Sequence, residues 1–182
     1  MEFYQSDEPN LIRRLACWVV DITVALAFAW FCLNSFGVQV KVSGQSMQPL
    51  LNSGDVVLIN RLAYDVGTPD RMDVVVFERE DKKANVKRVI GIPGDQVQIK
   101  DGLVYVNGEA VDAEGLGHVA LAGLAENPIL LEDGEYFLLG DNRDSSEDSR
   151  FANVGNVTED QIVGKVWLKL LPLIDIRLIR SP

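Results

Sequence analysis

Three polar segments in this chain place reactive side chains where they could do chemistry. Ser46 stands in SGQSMQPLLNSGDVV, after Gly44, which permits a tight backbone approach, and before Pro49, which stiffens the turn that follows. A serine at such a bend can be a nucleophile, although a serine beside glycine and proline more often only makes a turn. Lys87 lies in VKRVIGIPGD, a strand-like run ending at a Pro-Gly turn. Buried there it would be a base, whereas the usual fate of a strand lysine is solvent. The third segment, LLGDNRDSSEDSR at 138 to 150, is too charged and hydroxyl-rich for a core. As a calcium loop it fails, because Arg143 takes the third ligand place and no glycine stands at the sixth. As a plain solvated loop it would set Arg143 and Arg150 against Asp141, Asp144 and Asp148.

A serine attacking a peptide must lose its proton during attack, and the base that takes it works best with a pKa near the working pH. Free lysine, near 10.4, is protonated at neutrality. Desolvation would lower it, and Val86 and Val89 are consistent with an apolar wall around Lys87. Arg88 alternates to the opposite face of a regular strand and spares the base a cation on its own side. A histidine would need no burial, but the chain has one, His118, in a Gly-rich stretch that marks it as a bystander. One histidine and two cysteines are too few for a zinc or iron–sulfur site, so no metal or cofactor is expected.

These groups must be held by something, and 182 residues suffice for one domain with a small appendage. The appendage is legible: LACWVVDITVALAFAWFCL, Leu15 to Leu33, spans about 28 Å as a helix, close to the hydrocarbon thickness of a bilayer. Asp21 is its flaw, Trp18 and Trp30 stand near its ends, and Arg13 and Arg14 precede it. A cytoplasmic N-terminus over residues 1–14, an anchor over 15–36 and an extracytoplasmic region over 37–182 are expected. The alternatives are a buried core helix and a cleavable secretion signal. Of the chain's 27 acidic and 17 basic side chains, 4 and 2 lie in the first 36 residues, leaving 23 and 15 beyond, a net −8. That sign excludes a nucleic-acid surface.

Beyond the anchor the signals are short and β-like: VQVKV, DVVLI at 55 to 59, DVVVF at 73 to 77, VKRVI at 86 to 90 and EYFLL at 135 to 139. QVQIK and LVYV flank Asp101-Gly102, and Asn107-Gly108 follows, so two tight hairpin turns in succession are predicted. Ala110 to Pro128, Gly- and Ala-rich, reads as a mobile insertion or flap. The terminal VGKVWLKLLPLIDIRLIR mixes large apolar residues with Lys165, Lys169, Arg177 and Arg180. It reads either as a last core strand plus a tail or as a surface that rests on lipid.

Taken together, SGQSMQPLL, GDVVLINR, VKRVIGIPGD and GDNRDSSEDSR, in that order after one N-terminal span, resemble the boxes of type I signal peptidases, Ser-Lys membrane proteases that cut leader peptides from exported proteins. The resemblance covers residues 40 to 100 and 135 to 170. It implies a mainly β, barrel-like catalytic domain with a small β insertion, here about 100–134, after one transmembrane helix. It implies Ser46 as nucleophile, Lys87 as general base and Ser146 as the hydroxyl that orients the base. Asp141, Arg143, Asp148 and Arg150 would be the charged framework, and Val42, Met47, Leu51, Val76 and Val86 the substrate pocket wall, with ordinary core the alternative for each of these five.

The resemblance further implies preprotein substrates with small residues at the first and third positions before the cut, bound along an exposed strand edge. The bilayer and the secretion translocon would be partners, and the cell membrane the location. One departure is Gly44, where some members carry a serine whose hydroxyl helps form the oxyanion hole; here the hole would be backbone-only or use water. The short insertion and single span match the compact form common in Gram-positive bacteria. The competing readings are a self-cleaving Ser-Lys autoprotease, whose relatives carry a DNA-binding N-terminal domain, and a membrane-anchored β-domain that binds partners without catalysis.

Overall fold

The computed structural model describes residues 11–79, 83–111 and 118–179. Its first element is α1 (Leu11–Phe36), 26 residues and therefore about 39 Å long. It starts four residues before the apolar run read from sequence. Its side chains are exposed from Leu11 through Phe31, including Trp18, Phe28 and Trp30. That exposure removes the core-helix alternative, because an apolar helix inside a soluble core would be covered. The helix stops at Gly37, whose N–H donates to the Leu33 carbonyl at 2.9 Å. Two carbonyls left open at its end find donors elsewhere in the chain. The Arg61 N–H donates to Ser35 O at 3.0 Å and the Trp167 indole N–H to Phe36 O at 3.2 Å.

The rest is mainly β. The branched-residue runs become β1 (Val38–Lys41), β2 (Val56–Asn60), β3 (Val74–Glu78) and β4 (Ala84–Gly91), with a one-turn helix α2 (Leu62–Asp65) after β2. Then come β5 (Gln96–Lys100), β6 (Leu103–Val106), β7 (Glu109–Ala110), β8 (Ile129–Leu130) and β9 (Glu135–Leu139), followed by β10 (Val157–Thr158), β11 (Ile162–Leu171) and β12 (Arg177–Leu178). The larger sheet is antiparallel in the order β1-β2-β11-β3-β4-β9-β10, with β12 added to β11. Register breaks along β11, at Ile162/Gly164, Val166/Leu168 and Lys169/Leu171, bend the strand as bulges do. The sheet therefore curls while staying open at its edge strands β1 and β10, within the mainly β domain that the resemblance implied.

The smaller sheet, β7-β6-β5-β8, is the insertion. Both predicted hairpin turns are present: Asp101 and Gly102 at φ 53° and 77°, Asn107 and Gly108 at φ 54° and 83°. Two successive positive φ values match the right-handed twist of the flanking strands, which is why Asp-Gly and Asn-Gly stand there. The expected flap is packed rather than loose where it is described. Val119 and Ala125 are buried with Ile99, Val104 and Phe137 between the two sheets, and the Leu124 N–H donates to Arg150 O at 2.8 Å. Small residues let this stretch fit against the sheet, which weak periodicity does not reveal. Residues 112–117 of that expectation lie outside the described residues.

The C-terminal run divides between its two readings. β11 is a core strand with Val166 buried. Past Pro172 the chain turns back through an apolar loop with Leu173, Ile174, Ile176 and Leu178 exposed. Its cations do not all face outward as a lipid-resting surface requires. Lys169 is 1% exposed between Asp55 at 2.6 Å and Asp175 at 2.7 Å, and Lys165 meets Asp73 at 2.5 Å. Asp55 and Asp73, distant in sequence, draw these two lysines in, with Asp175 close by in the same run. Arg180 lies outside the described residues.

Candidate active site

Ser46 sits in the loop joining β1 to β2. The ladder between those strands runs one step past its formal end, with the Val42 N–H donating to Asp55 O at 2.8 Å and the Gly54 N–H to Val42 O at 2.9 Å. Gly44, at φ +82°, then turns the chain with a backbone that a side chain would strain. A helical turn follows, with Gln48 N–H to Gln45 O and Leu51 N–H to Met47 O. Met47 and Leu51, one turn apart on one face, are both wholly buried. They pin the turn to the core and leave the half-buried Ser46 at its start.

Lys87 comes from β4, across the sheet from Val75, with Val89 two residues along on the same face. Its side chain is 3% exposed and its Nζ donates to Ser46 Oγ at 2.9 Å. Burial pulls its pKa down to about 8, with Asp148 and Glu147 opposing the shift and Arg150 and Arg79 adding to it. At pH 7 about one lysine in ten is then neutral, against about one in three thousand at the ordinary value. On that face Val89 is wholly buried in a cluster with Val75, whereas Val86 lies on the opposite face, in the cluster with Met47.

The loop after β9 brings the third segment in. Asn142 N–H donates to Ser46 O at 3.0 Å. A Cβ on Gly140 would stand 2.5 Å from that same carbonyl and 2.2 Å from Ser146 Oγ, so only glycine lets the Ser46 backbone and Ser146 meet there. Ser146 is buried, yet its hydroxyl has no hydrogen-bond partner among the described residues. The bond to Lys87 that the resemblance implied is not formed in this structure. The loop is held by two buried ion pairs: Arg88 bidentate on Asp141, both contacts 2.8 Å, and Arg150 on Asp148 at 2.7 and 2.9 Å. Arg150 also donates to the Arg143 carbonyl at 2.7 Å. Arg143 is buried with its Nε unpartnered among the described residues, and burial lowers its pKa. Asp141 still acts on it through space, but among the described residues the direct ion pair with Asp141 is made by Arg88.

The five pocket candidates share one place. Val42, Met47, Leu51, Val76 and Val86 all lie in a single core cluster with Val57, Ile59, Val74 and Val166. Met47, Leu51 and Val76 are at most 1% exposed and Val42 and Val86 only 4 and 6%, so in this structure they are core rather than an open wall. His118 packs over Gly102 on the insertion, as a bystander would. Sequence reasoning missed Arg88 as a framework residue, although its place opposite Lys87 was legible, and missed Gly140, whose only signal is its position before Asp141.

A serine hydroxyl bonded to a buried lysine of lowered pKa can attack an acyl carbon without metal or histidine. Comparison with known proteins gives that arrangement a setting. Residues 15–171 match the family model "Signal peptidase, peptidase S26". The chain is 38% identical over 167 residues to a signal peptidase I from Bacillus caldolyticus, covering 85% of this chain and 88% of that protein. It is 34% identical over 176 residues to a signal peptidase IB from Staphylococcus aureus, covering 88 and 91%. A crystal structure of a signal peptidase I from Enterococcus faecalis V583 aligns with a TM-score of 0.48 and 26% identity, over 55% of this chain and 97% of that one.

Proposed function

The chain belongs to the signal peptidase family, peptidase S26, and we propose that Ser46 and Lys87 are the dyad with which it acts as a serine endopeptidase, removing signal peptides from exported preproteins. The observation that carries the assignment is the 2.9 Å contact between the lysine amine and the serine hydroxyl. In the neutral form Lys87 accepts the Ser46 proton as Oγ attacks the scissile carbonyl carbon. Collapse of the tetrahedral adduct breaks the C–N bond, and the lysine returns the proton to the departing amine. Water then loses a proton to the neutral Lys87 amine and attacks the acyl carbon; the ester C–O bond to Ser46 breaks, and Lys87 returns the proton to Oγ. With Gly44 two places before the nucleophile, backbone N–H groups or water stabilise the oxyanion. Ser146, buried beside the Ser46 carbonyl, is the hydroxyl that orients the lysine during the reaction. Asp141 and Asp148, with Arg88 and Arg150, hold the loop that presents it.

The substrate segment lies extended over the floor built by Val42, Met47, Leu51, Val76 and Val86. It carries small residues at the first and third positions before the cut and pairs along an exposed strand edge. Residues 15–36 of helix α1 are the anchor, with residues 1–14 cytoplasmic and 37–182 outside, beside the secretion translocon that delivers preproteins. Ser46 lies ten residues past the helix end and so within about 35 Å of it. The exposed Leu173, Ile174, Ile176 and Leu178 rest on the bilayer. Incubating the detergent-solubilised protein with one preprotein and mapping the products by mass spectrometry tests the reading. One cut after a small-x-small sequence is expected; scattered cuts, or none, contradict it.

A further inference from the structure

Lys169 is the most deeply buried lysine among the described residues, and no step of the cleavage uses it. It joins two loops. On one side is Asp55, whose Oδ2 lies 2.6 Å from Lys169 Nζ and also accepts the Asn52 N–H at 2.8 Å. Asp55 closes the mouth of the loop that carries Ser46, through its backbone bond with Val42. On the other side is Asp175, 2.7 Å away, at the end of the turn Leu173–Asp175 between β11 and β12. That turn carries Ile174, 97% exposed. A second tie runs beside the first, because the Arg177 guanidinium on β12 donates to the Leu50 carbonyl, four residues from Ser46.

For stability alone, an apolar side chain of the same volume would fill the site without desolvating charges. The ionic contact adds direction: it fixes where the mouth of the nucleophile loop stands relative to β11. We propose that Lys169 is a positioning residue for the cleavage, tying the nucleophile loop to the exposed apolar loop so that Ser46 Oγ is held in line with Lys87 Nζ. The proposal rests on the reading of Ser46 and Lys87 as the dyad. Because Met47 and Leu51 sit in the floor whatever the state of Lys169, its loss misaligns the hydroxyl more than it weakens substrate binding.

The test is steady-state cleavage of a peptide spanning one signal-peptide junction by the full chain in detergent, with Lys169→Met, Asp175→Asn, Asp55→Asn/Lys169→Met and Ser46→Ala beside the wild type. Thermal midpoints report folding. Lys169→Met is expected to lower kcat about tenfold and Asp175→Asn about threefold, both with KM within about twofold. The double variant, which removes both buried charges, is expected to recover the midpoint but not kcat. A double variant whose kcat recovers with its stability would overturn the proposal, as would an Asp175→Asn enzyme, whose changed carboxylate is half in solvent, at wild-type kcat. An inactive Ser46→Ala beside an unimpaired Lys169→Met overturns this proposal alone. An active Ser46→Ala overturns the dyad and the proposal with it.

Discussion

Ser46 Oγ and Lys87 Nζ stand 2.9 Å apart although their strands are not neighbours in the sheet. Between β1, before the serine, and β4, which carries the lysine, lie β2, β11 and β3. Four steps across a flat sheet would separate them by about 19 Å. The curl of the sheet and the inward turn of the 43–54 loop close that gap, so the proposed dyad is a product of tertiary shape. The third segment reaches the same point from the loop after β9, through Asn142 on the Ser46 carbonyl.

The lowered pKa of Lys87 fixes the pH dependence. As the proposed base Lys87 works only when neutral, so with a pKa of about 8 the rate is expected to fall tenfold for each pH unit below that value and to level off above it. kcat/KM against pH, measured on a peptide substrate, is expected to rise with unit slope and bend near 8. A bend above 10 would mean the lysine is not desolvated as the structure has it.

Ser146 separates stability from catalysis. Its hydroxyl is buried and unpartnered among the described residues, a state that costs about 1–3 kcal/mol. Ser146→Ala is therefore expected to leave the thermal midpoint unchanged or raised. If the hydroxyl engages Lys87 during the reaction, kcat falls by about tenfold or more with little change in KM. Unchanged kcat would remove Ser146 from the orienting role.

Asp148 and Arg150 are at most 2% exposed, and breaking a buried pair by removing one partner costs about 3–5 kcal/mol. Asp148→Asn is expected to lose about that much in denaturant unfolding, and to lose activity as well, because Arg150 also holds the Arg143 and Leu121 carbonyls. Stability within about 1 kcal/mol of wild type would show that the pair is dispensable.

The exposed apolar loop predicts a membrane phenotype. Ile174→Asp, at a position almost wholly in solvent, is expected to leave the thermal midpoint unchanged. In a form of the protein beginning at Val38 it should weaken association with phospholipid vesicles several-fold in flotation. Equal flotation with and without the substitution would take the loop off the lipid.

The five branched-residue runs and both hairpin turns were legible because enrichment in branched and aromatic residues and Asp-Gly or Asn-Gly chemistry are local. The dyad candidates were legible only through the order of four boxes, since neither Ser46 nor Lys87 stands out from its neighbours. What stayed hidden depends on partners far away in the chain. Lys169 looks like one more cation in a basic tail until Asp55 is beside it, Arg88 finds Asp141 across 53 positions, and the 118–128 stretch acquires its order from the face it packs on. The unpartnered state of Ser146 Oγ was equally beyond reach, because a hydroxyl's satisfaction is decided by a few tenths of an ångström.

The most direct measurement is kcat/KM for one preprotein with wild type, Ser46→Ala and Lys87→Ala, each checked for folding by its thermal midpoint. The account predicts that both variants remain folded and that each loses at least about a thousandfold in rate. A folded Ser46→Ala or Lys87→Ala enzyme retaining a tenth or more of the wild-type rate would contradict it.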